Sequence, residues 1–177
     1  MQLPDTKLSS WLDARLNRLG RISAWLWLLL MLIIVINVVM RYFFGLGRIE
    51  FEEIQWHLYA IGFLIGLSYA YVSDSHIRVD VVRSTLSDQT QAWIELYGTL
   101  LLLLPFVVLV LSSAWPFVAY SYSTSEVSEA PGGLGYRWII KGVLGIAFVL
   151  LLAAIVSRLS RVWSFLFGWP RAILGEH

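Results

Sequence analysis

Long apolar runs separated by short polar clusters set the pattern of this chain. Residues 23–44, 52–73, 91–119 and 138–158 are each long enough, and apolar enough beyond their first polar turns, for a helix to cross a hydrocarbon layer of ~30 Å. The pattern predicts four transmembrane helices joined by a turn at 45–51, a loop at 74–90 and a loop at 120–137, with an interfacial tail at 159–177. Ahead of the first run lies an arm, 1–22. There Leu8, Trp11, Leu12, Leu16, Leu19 and Ile22 fall on one helical face, and Ser9, Ser10, Asp13, Asn17, Arg18 and Arg21 mostly on the other. Such an arm either lies in the interface plane or extends the first span. The expected fold class is an all-α membrane protein of four transmembrane helices with an N-terminal interfacial amphipathic helix.

Composition sharpens this picture. Of 177 residues, 58% are hydrophobic and 14% charged, against a usual globular apolar share of roughly 45–50%. Little sequence remains for a soluble catalytic domain, so an enzyme is not expected. The absence of cysteine removes disulfides, thiolate metal sites and a thiol nucleophile together. A net charge of +1, with basic residues spread among loops, gives no nucleic-acid patch. No cofactor is expected.

Lysine and arginine set the orientation. With four spans both termini share a side, which holds Lys7, Arg15, Arg18, Arg21, Arg78, Arg83, Arg158, Arg161 and Arg171. The other side has Arg41, Arg48, Arg137 and Lys141, so the termini are expected in the cytoplasm.

The charged positions suggest where chemistry concentrates. Arg41 closes the first span, and the short turn after it returns the chain antiparallel, bringing Glu52 and Glu53 to the depth of Arg41. An ion pair between Arg41 and one of these carboxylates is expected there, with His57 nearby at an outward mouth. Gly62, Gly66 and Ala70 recur every four residues and line a face to which another helix can approach closely, in this chain or in another. His76, Arg78 and Asp80 cap the cytoplasmic turn. Pro105 is expected to bend the third span, and the Ser- and Gly-rich stretch from Tyr120 to Arg137, with Glu126 and Glu129, is expected to be flexible.

Several chemistries fail on the residues. No Gly-x-x-x-x-Gly-Lys-Ser/Thr loop is present. Gly66-Leu67-Ser68-Tyr69-Ala70 is a poor nucleophile elbow, because His57 lies about 16 Å along the same helix, far beyond the ~3 Å that a general base needs. A haem-carrying subunit would need two axial ligands at similar depth, and only His57 is offered there. A self-contained carrier would need polar residues at mid-depth, of which Asn37, Ser68 and the tyrosines are few.

The motifs NVVMRYF at Asn37 to Phe43, EEIQWHLYAIGFLIGLSYAY from Glu52, HIRVDVV at His76 to Val82 and QAWIELYGTLLLLLPF at Gln91 to Phe106 resemble one family. With the Pro-Gly-Gly loop before Trp138 and Lys141, nearly the whole chain resembles the small, DctQ-like membrane subunit of tripartite ATP-independent periplasmic (TRAP) transporters. The resemblance implies a subunit in the bacterial inner membrane without a catalytic site. It further implies a large permease subunit as partner, which carries solute inward by an elevator movement on a sodium gradient. A periplasmic binding protein would deliver that solute, usually a carboxylate, and Glu126 and Glu129 are candidates for meeting it. One departure is Gly145, where the resemblance leads to an expectation of proline.

Overall fold

A computed structural model of the chain describes residues 3–76 and 85–171. Among the described residues every regular element is helical: α1 Lys7–Ser23, α2 Trp25–Phe44, α3 Ile49–Val72, α4 Asp88–Gly98, α5 Leu104–Ser123 and α6 Arg137–Phe167. A π-helical turn, Thr99–Leu103, joins α4 to α5.

Local signals account for several of the helix ends. Thr6 and Ser9 cap α1 reciprocally, each side chain accepting the other's backbone N–H (3.1 and 2.9 Å). Gly45 (φ +64°) and Gly168 (φ +69°) close α2 and α6 in the left-handed conformation. The Ser87 hydroxyl accepts the Thr90 N–H at 3.2 Å and starts α4. Instead of a sharp bend at Pro105, the π turn falls directly before it, with the Leu104 N–H reaching back to Thr99. The wider turn accommodates the proline's missing donor.

Two helices outrun the expected spans. α5 continues through Pro116 to Ser123, past 119. α6 runs on past 158 to Phe167, because Arg158 and Arg161 are covered by other elements and not released into an interfacial tail.

The helices pack as a row. α2 lies on α3, α3 on α6 and α6 on α5, so α3 and α6 are central. Val107, Phe148, Leu151 and Ile155 form the main core, with Leu64 and Leu144 against it. Ala92, Leu96 and Val162 form a second, smaller core. Outside these clusters the surface is strongly apolar, and Asn37 is the buried residue of α2. In water such a surface would drive aggregation; in a bilayer it is the solvated face.

Three stretches, Lys7–Phe44, Asp88–Ser123 and Arg137–Phe167, are long and apolar enough to cross a membrane by length and composition. α3 has 24 residues, about 36 Å at 1.5 Å per residue, and so the length. Its Gln55, His57 and three tyrosines make it more polar, and it is flanked by α2 and α6 with α1 against it.

α1 behaves as a strap. Only Ala24 separates it from α2, and there the Ser23 hydroxyl donates back to the Gly20 carbonyl, a bond that favours bending. Thr6 meets Ser160 and Asp13 meets Ser157 and Arg161, while Gly20 lies on Tyr69 of α3. Thr6 and Asp13 are about 10 Å apart along α1, yet their partners span only about 6 Å of α6. The strap therefore crosses α6 steeply and ends on α3. A Cβ at position 20 would sit 2.2 Å from the Tyr69 ring, so this crossing requires glycine. The strap turns Ser9, Asp13, Leu16 and Gly20 inward and leaves Leu8, Trp11, Leu19 and Ile22 exposed. Thr6, Ser9 and Asp13 thereby find partners within the protein, while the exposed side of the strap carries both apolar side chains and Lys7, Arg15, Arg18 and Arg21.

Candidate functional site

Polar side chains gather at two rims of the row. The first contains the start of α3, the end of α2, and the connection between α5 and α6. There the Arg41 guanidinium meets the Glu52 carboxylate, and Arg48 meets Glu50 at 3.2 Å. Arg41 and Glu52 are 52% and 37% exposed, so their pair contributes about 1 kcal/mol or less.

Glu53 points elsewhere. Its carboxylate accepts the Ser128 hydroxyl and the Leu134 backbone N–H, tying the 124–136 connection to α3. Gly133 packs so tightly on this junction that a Cβ would lie 2.8 Å from Glu53 Oε1 and 2.5 Å from Ser128 Cβ. Gly132, at φ +77°, makes the preceding turn. His57 Nδ1 donates to the Glu53 carbonyl one turn earlier. The residues expected at an outward mouth thus form two units, Arg41 with Glu52 and Glu53 with His57.

Glu126 folds inward on Lys141, and Arg137 Nε stands 3.9 Å away. The hydrogen bond from Lys141 is the main reason that its carboxyl titrates below the usual range. The Lys141 ammonium also sits 4.1 Å from the centre of the Phe117 ring. Glu129 is exposed. A stretch expected to be flexible is therefore tied at Glu53 and at Lys141.

The small-residue stripe divides. Position 62 faces Trp27 of α2, whose ring a Cβ would meet at 3.4 Å, whereas a Cβ at Gly66 would meet nothing within 4 Å. Ala70 is half-buried.

The second rim holds an ion-pair network that reading the sequence missed. Arg158, only 8% exposed, pairs with Glu95 and, at 3.1 Å, with Asp74. Arg161 pairs with Asp13 and, at 3.0 Å, with Asp5. Ser157 donates to Asp13 at 2.6 Å. One helical turn of α6 thereby binds the strap, the end of α3 and the start of the third membrane helix. Part of the signal was available: Arg158 and Arg161 lie three apart on one face, and Glu95 interrupts an apolar pattern. His76 is exposed, its ring edge toward Tyr71. Arg78 and Asp80, the other expected cap residues, lie outside the described residues.

The sequence profile described as "Tripartite ATP-independent periplasmic transporters, DctQ component" matches residues 30–165. The chain belongs to the DctQ family. It is also 26% identical over 139 residues to a Haemophilus influenzae protein that carries the name of a TRAP transporter small permease protein, covering 78% of this chain and 83% of that one. DctQ membership makes the chain a multi-pass TRAP small membrane subunit. The matched stretch of this DctQ chain includes Arg41, Glu53, Glu95 and Arg158, while the strap α1 precedes it. At Gly145 α6 continues unbroken, and a Cβ there would lie 3.7 Å from Ala114 Cβ, where α5 and α6 cross.

Proposed function

We propose that this chain is the scaffold and docking partner of a large TRAP permease subunit. In this reading the pair takes up a carboxylate solute, delivered by a periplasmic binding protein, on an ion gradient across the bacterial inner membrane. The observation that carries the reading is the use made of charge. Arg158, Arg161, Glu53 and Glu126 each lock one element to another, giving a stiff platform with a broad apolar surface. A platform of this kind suits a static role beside a moving carrier.

The excess of lysine and arginine on the side of the termini supports cytoplasmic ends. The Glu50 to Glu53 rim and the 124–136 connection then face the periplasm, where exposed Glu129 is available to a binding protein. Arg41 with Glu52, and Glu53 with His57, would organise this outward mouth. His76, Arg78 and Asp80 would hold the cytoplasmic turn. Gly66, open beside covered Gly62, would receive a helix of the large subunit, with Ala70 continuing the same face.

Reconstitution tests this directly. Liposomes with the chain alone should take up no solute under a sodium gradient, and addition of the large permease and the loaded binding protein should give uptake that disappears when the chain is omitted. Uptake by the chain alone, or undiminished uptake without it, would contradict the proposal.

A further inference from the structure

Between the strap and the end of α6 lies an apolar groove of about 660 Å³, within the range of pockets that hold small-molecule ligands. Leu8, Val156, Leu159, Trp163 and Trp169 form its walls. The outer wall is built by the chain's own return: Gly168 turns it, and the Ser164 hydroxyl donates to the Pro170 carbonyl at 2.8 Å, bringing Trp169 back toward α6. Lys7 and Arg171 also line the groove, and among the described residues no carboxylate does. Both cations are exposed, and neither is in an ion pair with a described residue.

Depth identifies the occupant. The groove lies at the second rim, level with the strap, where Trp163 and Trp93 pack on Phe167 as an interfacial aromatic group. On the strap's other flank Arg18 and Arg21 line a polar recess with Asn17 and Tyr69. Arginines there, with Leu8 and Trp11 exposed along the same helix, fit a helix at the boundary between headgroups and acyl chains. A polar metabolite would gain nothing from these walls. We propose that the groove is a binding site for one anionic phospholipid, its acyl chain along Val156, Leu159 and Trp163 and its phosphate between Lys7 and Arg171. Held there, the lipid would bridge strap and tail and complete the packing of the α6 end.

Native mass spectrometry of the full chain in mild detergent, titrated with phosphatidylglycerol or phosphatidylcholine, tests the site. The wild type should take up one phosphatidylglycerol at concentrations that leave it largely free of phosphatidylcholine. Two interfacial cations correspond to a preference of roughly thirtyfold. The Lys7→Gln/Arg171→Gln double variant should bind both lipids alike, and Val156→Trp should lose the adduct while melting, without added lipid, at the temperature of lipid-free wild type. Equal binding of the two lipids by the wild type, or a preference that survives the double variant, would overturn the proposal. So would an adduct unchanged by Val156→Trp. In the complex with the large permease, a photo-crosslinker at position 156 should label lipid; labelling of polypeptide instead would give the groove to a protein partner and also overturn the assignment.

Discussion

Replacing Arg158 by methionine is expected to lower the apparent melting temperature of the detergent-solubilised chain by about 10 °C or more. Methionine keeps the apolar stem of Arg158 but takes the guanidinium away from Glu95, whose side chain is 15% exposed. Breaking a buried pair from one side costs about 3–5 kcal/mol, and 1 kcal/mol corresponds to roughly 2–4 °C in a protein of this size. The decisive comparison is the double variant. Glu95→Gln in the Arg158→Met background removes the charge that Arg158 balanced and should recover part of the loss, whereas independent sites would add their costs. A single variant that melts with the wild type would show that the α6 cluster does not hold the bundle together.

Glu53→Ala should act locally at the opposite rim. It leaves the Ser128 hydroxyl and the Leu134 N–H without their Glu53 acceptor, and removes one of the groups on which Gly133 packs. Amide exchange in 124–136 should rise roughly tenfold or more, as expected when a tethered connection opens independently of its scaffold. The middle of α6 should be unaffected. Glu53→Gln retains one acceptor oxygen and should fall between the two. Unchanged exchange in 124–136 would mean that this connection is ordered by something other than Glu53.

Much of the architecture was legible because a bilayer imposes a simple rule on sequence. The four apolar runs became α2, α3, the α4 to α5 unit and α6, since backbone polar groups in lipid must be satisfied within the helix itself. The short turn after α2 put Arg41 and Glu52 at one depth, and their side chains are in contact. What was not legible depended on distant residues. Glu53 is joined to residues 128 and 134 across a separation that no local period encodes, so a Ser- and Gly-rich stretch passed for a flexible one. Arg158 and Arg161 passed for interfacial charges because hydropathy marks where a helix becomes polar, while burial depends on what covers it. The contacts of the strap through Gly20, Asp13 and Thr6 were not legible either, because their partners lie on other helices.

In the proposed function this polar stitching makes a rigid subunit whose remaining apolar surface receives a larger membrane partner. Affinity purification of the tagged chain from membranes that also contain its large permease measures this most directly. A stable complex of the two in mild detergent is the predicted result. Elution of the chain alone, or only with further copies of itself, would contradict it.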